Sequence, residues 1–189
     1  RIIFVEGAAE LMLVSVLAEL AGHKLRDHGV SLISVEGLNF DCFLPLFGEK
    51  ALKIPVSVIT DADPFGPDGK ALYPAAGVAV TVSDNTAKMK KLEDGFVRVF
   101  HGQKTLEYDL ALESENLATM LAALTDIHPL IGADLTTTVD AAVDPAVKAK
   151  ALFTGMFERP QNNVQKGRFG QALAQALVKP DATYKVPRY

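Results

Sequence analysis

A single cysteine, Cys42, is all the thiol chemistry that this chain of 189 residues carries. That excludes an internal disulfide and any zinc site built on several cysteines, and a lone cysteine reads as a small apolar side chain in the core. Positive charge is also scarce: 19 Lys and Arg stand against 23 Asp and Glu, a net charge of −4. Phosphate affinity comes largely from lysine and arginine, so this balance argues against a freestanding protein that grips the nucleic-acid backbone. It leaves room for a metal-dependent nuclease, whose active site is anionic until loaded. No apolar run approaches the roughly 20 residues that span a bilayer, and the start lacks the order of a secretory signal. A soluble cytoplasmic protein with no membrane partner is the expectation. No P-loop is present, so nucleotide binding is not readable from this chain. His23, His28, His101 and His128 show no metal-ligand spacing and read as structural. Arg1 is not a methionine and residues 2–5 already read as a buried strand, so the natural chain is expected to begin earlier.

What is present is a strong alternation in the first sixty residues. Short aliphatic runs at residues 2–5, 31–35 and 56–60 alternate with helical patterns over 8–25 and 40–52. Continuous aliphatic strands joined by helical crossovers predict an α/β fold with a parallel sheet covered on both faces. The three runs end in acids, Glu6, Glu36 and Asp61, and right-handed crossovers bring those carboxyl ends to one edge. Residues 64–77, rich in Pro and Gly, read as a loop, and 85–94 as a short charged helix whose Lys88, Lys90 and Lys91 are solvated. A fourth strand is expected at 96–100, with a turn at 101–102 leading to 104–108. Beyond Leu106 the chain becomes helical through about residue 127, again near 144–157, and finally over 164–177.

The chemistry concentrates at the predicted strand ends. Glu6 is followed by Gly7 and then Glu10, which places two carboxylates near the strand end and the first helical turn. Two strands on, Asp61 and Asp63 flank Ala62 in TDADP. Hard cations such as Mg²⁺ and Mn²⁺ take oxygen ligands, and clustered acids without a cation would repel one another and raise their own pKa values. Each acid alone has a plain structural reading, since acids favour helix N-termini and Asp before Pro is ordinary turn chemistry. Their co-occurrence at strand ends favours bound metal.

The series FVEGAAE, SVEG and VITDADP resembles the Toprim signature, a glutamate and glycine after the first strand and a DxD after the third. KTLEYDLA at 104–111, a helical insertion, and QKGRFGQALAQAL at 165–177 are similar to the pattern of the OLD (overcoming lysogenization defect) family of nucleases. The resemblance covers nearly the whole chain. It implies a Rossmann-like Toprim sheet flanked by helices over residues 1–110, a helical insertion over 111–160, and a C-terminal helix over 161–189 that returns to the core. It makes Glu6, Glu10, Asp61, Asp63 and Glu107 ligands of two divalent ions, Mg²⁺ or Mn²⁺, with Glu6 and Lys166 catalytic. The implied activity is hydrolytic endonuclease cutting of DNA. It further implies an upstream ABC-type ATPase in the same polypeptide, through which alone ATP and homo-oligomer contacts would enter. Glu36 does not carry over, because the match at SVEG rests on Gly37. Arg159 and Arg168 could add a basic face beside Lys166, or a solvated one.

Two other Toprim classes fit less well. Topoisomerases use a tyrosine outside the domain, and Tyr73, Tyr108, Tyr184 and Tyr189 lack a recognisable context for it; primases add a zinc module that this chain has no cysteines for. Two further readings stay open: a receiver-like domain in which Asp61 accepts phosphate, and a non-catalytic Toprim interaction module.

Overall fold

The computed structural model describes residues 1–188; Tyr189 lies outside the described residues. The aliphatic and β-branched runs form β1 (Ile2–Val5), β2 (Ser31–Ser34) and β3 (Val56–Thr60), and with β4 (Val97–His101) they make one parallel sheet in the order β2-β1-β3-β4. In register, Phe4 lies beside Ile33 and Val58, and Val58 beside Val99. The path from β1 to β2 runs one way along the sheet and that from β2 to β3 the other. Right-handed crossovers therefore lay the two connections on opposite faces and bring every strand's carboxyl end to one edge.

α1 (Ala8–Leu20) stops short of residue 25. Gly22 sits at φ 86°, and its N–H together with that of His23 closes on the carbonyls of Glu19 and Ala18, a left-handed stop that a glycine adopts without strain. The helix expected over 40–52 is absent; two short 3-10 turns, Asn39–Cys42 and Leu44–Leu46, take its place. Pro45 has no N–H to continue a helix, and Gly48 at φ 128° turns the chain away. These turns still bury Phe40 and Leu44 against Phe4, Val56, Val58, Val97 and Val99. Cys42 faces outward and is exposed, which corrects its reading as a core residue.

α2 (Asp84–Lys90) starts at Ser83, whose Oγ accepts the N–H of Thr86 at 3.4 Å. Beyond β4, residues 104–108 hold no strand: Thr105 caps α3 (Leu106–Leu112) by accepting the Tyr108 N–H at 3.3 Å. The expected continuous helix through residue 127 breaks at Glu113, whose ψ of 99° is extended, and resumes as α4 (Leu117–Ile127). α5 (Pro129–Ala141) is an element the sequence reading passed over. α6 (Pro145–Phe157) opens with Asp144 capping Val147 and Pro145 in the first turn, and α7 (Lys166–Leu177) closes the fold. The helices share a second core around Leu13, Tyr108, Met120, Leu124, Leu152 and Phe169, with α7 packed on both α1 and α4. Among the described residues no helix is long and apolar enough to cross a membrane.

Candidate functional site

Five of the acids named from the sequence are held at the carboxyl edge of the sheet, Glu6, Glu10 and Glu107 through one carboxylate oxygen each and Asp61 and Asp63 through the backbone of one short turn. Glu6 directly follows β1, and its Oε1 accepts the Thr60 hydroxyl at 2.5 Å and the Asp61 N–H at 2.8 Å, which ties the end of β1 to the end of β3. Glu10, in the first turn of α1, takes the Gly7 N–H on Oε2 at 3.0 Å. Glu107 is fully buried; its Oε2 accepts the Thr105 hydroxyl at 2.9 Å, while Oε1 is buried without a partner. A buried carboxylate oxygen left bare costs free energy, and such an oxygen fits a missing cationic or protonated ligand.

Backbone hydrogen bonds hold the DAD turn. The carbonyl of Lys104 accepts the N–H groups of Ala62 and Asp63 at 2.7 and 3.2 Å, and the Asp61 carbonyl accepts the Thr86 hydroxyl at 2.7 Å. Asp63 adopts φ 42°, a left-handed conformation that Asp tolerates better than most residues. The N–H groups of Gln103 and Lys104 donate in turn to the Asp109 carboxylate on α3. One short segment thus joins the DxD turn to the helix bearing Glu107, and brings acids nearly fifty residues apart to one place.

Lys166, the first residue of α7, reaches into this cluster. Its Nζ lies 3.1 Å from Glu107 Oε2 and 3.8 Å from Asp61 Oδ2. The approach depends on how closely α7 meets α1: a Cβ on Gly170 would fall 2.9 Å from the Cα of Ala9, so only glycine fits there. The electrostatics follow. Burial pushes the carboxyl of Asp61 well above its usual range, and Glu6, Glu107 and Asp63 add to that while Lys166 opposes it. Burial likewise raises Glu10, seconded by Glu107, and raises Asp63 against the pull of Lys104 and Lys166. For Lys166, burial works against the charged form, but Glu107 and Asp61 overcome it and raise its pKa above the ordinary lysine value, so it stays cationic.

Among the described residues no three Asp, Glu, His or Cys side chains converge closely enough to hold a metal ion as they stand. The donor set is nonetheless all carboxylate oxygen, the chemistry a hard divalent ion takes, and the bare Glu107 Oε1 is a buried oxygen awaiting a partner. Glu36 is turned away, exposed at φ 53° and bonded to the Ser34 hydroxyl at 2.8 Å. Arg168 is not among the ion pairs of the cluster, and Arg159 donates to the carbonyl of Gly155.

Lys104 is the residue that the sequence reading passed over. Its side chain is 4% exposed, with Nζ 4.7 Å from the ring centre of Tyr73 and 5.5 Å from that of Phe153, and it is the cation felt most by Asp63. Its position immediately before TLE was the available signal.

The sequence family described as "Overcoming lysogenization defect protein-like, TOPRIM domain" matches residues 1–63, the stretch from β1 through the DAD turn. The C-terminal region of the Burkholderia pseudomallei OLD protein is similar in structure, with a TM-score of 0.62 at 25% identity over 98% of this chain and 91% of that one. The C-terminal region of the Xanthomonas campestris pv. campestris OLD protein gives 0.56 at 25% identity over 92% and 82%. No curated protein sequence matches. The match at residues 1–63 and the fold over nearly the whole chain agree: the chain resembles the OLD-like Toprim domain, and its fold is similar to that of the C-terminal regions of OLD proteins.

Proposed function

We propose that this chain is the catalytic region of a divalent-metal-dependent DNA endonuclease that hydrolyses phosphodiester bonds. The observation that carries the reading is the division of labour within each carboxylate. Glu6, Glu10 and Glu107 are each oriented by protein hydrogen bonds through a single oxygen, which leaves the other to a ligand. With Asp61 and Asp63 they offer two divalent ions, Mg²⁺ or Mn²⁺, an oxygen-only set. Ions bound there would supply an activated water and neutralise the departing oxygen.

The protein's own part is positioning and charge. Thr60 and the Asp61 N–H fix the Glu6 carboxylate, and the Lys104 carbonyl fixes the DAD turn, so these two anchors would hold their place while the remaining carboxylates close on an arriving ion. Lys166, cationic at every working pH, would turn from Glu107 and Asp61 toward the non-bridging oxygens of the scissile phosphate and hold the negative charge that grows on them. No side chain need form a covalent bond. The OLD relationship supports a further part of the same polypeptide, an upstream ABC-type ATPase, as the source of any ATP dependence.

Supercoiled plasmid incubated with the chain in Mg²⁺, Mn²⁺, Ca²⁺ or EDTA tests the reading. Metal-dependent nicked and linear products, absent with Asp61→Ala and Lys166→Ala, are expected. Intact plasmid throughout, with acetyl phosphate labelling Asp61, would instead establish a phosphoacceptor domain.

A further inference from the structure

Two ammonium groups beside the acids, those of Lys104 and Lys166, are backed by the same helix. Phe153 and Phe157 stand four residues apart on α6, which sets both rings on one face of the helix with 5.3 Å between their centres. Lys104 Nζ lies 5.5 Å from the centre of the Phe153 ring and 4.7 Å from that of Tyr73. Lys166 Nζ lies 5.9 Å from the centre of the Phe157 ring. Each cation therefore meets one ring of the pair, at a distance where the electron-rich face attracts it.

The rings are held in place by other groups. Tyr108 meets the buried Phe153 ring edge-on at 5.9 Å. Phe157, half-buried, packs at 5.9 Å against Phe169, the buried residue one turn after Lys166 on α7. The Val164 N–H donates to the Met156 carbonyl at 2.9 Å, which ties the segment leading into Lys166 to α6 right beside Phe157. On the other side of Phe157, the Glu158 carboxylate accepts the Tyr73 hydroxyl. The Phe157 ring thus keeps its position whether or not the ammonium rests on it.

We infer that Phe157 is a positioning residue, whose ring keeps the Lys166 ammonium beside the acid site when that ammonium leaves Glu107 and Asp61. The inference rests on the nuclease reading above, which requires Lys166 to part from these acids, and adds what stops it from swinging into solvent. The Lys166 side chain is 39% exposed and its stem is flexible, so water is the alternative. A ring face attracts the cation without occupying a carboxylate oxygen that an ion would need. Lys104, 4% exposed and seated on Phe153 and Tyr73, shows the same arrangement one helical turn away.

Nuclear magnetic resonance of the Lys166 side chain tests this, because a proton above an aromatic face is displaced upfield. Spectra of chains with isotope-labelled lysine, assigned with Lys166→Met, are recorded in EDTA and in Ca²⁺. The unaltered chain is compared with Phe157→Leu and with a chain carrying pentafluorophenylalanine at position 157, and plasmid cutting in Mn²⁺ is run beside them. Pentafluorophenylalanine keeps the shape of the ring and reverses the polarity of its face, so packing is retained where the attraction is not. In the unaltered chain the methylene next to Nζ is expected upfield, and further upfield in Ca²⁺; the displacement is absent from Phe157→Leu and does not grow in the fluorinated chain. Cutting by both altered chains should be about three- to tenfold slower, with KM for plasmid little changed. A chain that cuts, but whose Lys166 signals ignore Ca²⁺ or respond alike in all three forms, overturns the role of Phe157 alone, as does full-rate cutting by the fluorinated chain. The expected spectra in a chain that cuts nothing support the ring contact and overturn the nuclease reading. A chain that shows neither overturns both.

Discussion

Lys166 Nζ lies 3.1 Å from Glu107 Oε2, so the end of α7 already delivers a cation to the acids at the edge of the sheet. Glu107 is fully buried, and a buried carboxylate without a counter-charge would be costly. The ammonium serves as that counter-charge and at the same time stands in the way of any other cation.

Lys166→Met tests this double role. It keeps the aliphatic stem beside Phe157 and removes only the charge. Calcium affinity measured by calorimetry is expected to rise at least about tenfold, the equivalent of roughly 1.4 kcal/mol. The variant in EDTA should lose about 1–3 kcal/mol in urea unfolding, less than a fully buried pair because the Lys166 side chain is 39% exposed, and should regain it in Ca²⁺. Unchanged or weaker calcium binding would show that the lysine does not compete.

Asp61 gives the pH dependence. Its carboxyl has a higher pKa in the fold than its ordinary value of 3.8, through burial and its acid neighbours. The stability it contributes is therefore fully present below that ordinary value, and is lost as pH rises through the raised one. Asn imitates the protonated form, so Asp61→Asn in EDTA should raise the melting temperature at pH 8 by about 2–4 °C, which corresponds to about 1 kcal/mol at this size. The gain should vanish below about pH 4. Metal affinity of the unaltered chain should climb with pH for the same reason, since the ligands must first lose their protons.

Gly170→Ala separates packing from propensity. Ala is the better helix former by about 1 kcal/mol, yet its Cβ would meet the Ala9 backbone at 2.9 Å. Overpacking of this kind costs about 1–3 kcal/mol. The expected outcome in urea titration is a net loss, together with weaker cutting as α7 shifts and carries Lys166 with it. A net gain would mean that α7 is not held against α1 as described.

The sheet was legible because its strands are continuous aliphatic runs, and Glu6 and Asp61 were legible because they end two of them. Residues 40–52 misled because Phe40 and Leu44 have helical spacing while Pro45 and Gly48 forbid the helix. α5 escaped because its threonines at 136–138 and Gly132 blur the period; the Thr side chains instead donate to carbonyls one turn back. Glu107 and Lys166 came into view through family resemblance, since no local pattern ties residues so far apart. The role of Lys104 is tertiary: its carbonyl holds the DAD turn, and only the fold places its ammonium against Tyr73.

The most direct test of the two-metal account is anomalous diffraction from crystals of the chain soaked in Mn²⁺. The account predicts two peaks roughly 3.5–4 Å apart among Glu6, Glu10, Asp61, Asp63 and Glu107, with the Lys166 ammonium moved off Glu107. A map without peaks at these carboxylates, and with Lys166 still paired to Glu107, would contradict it.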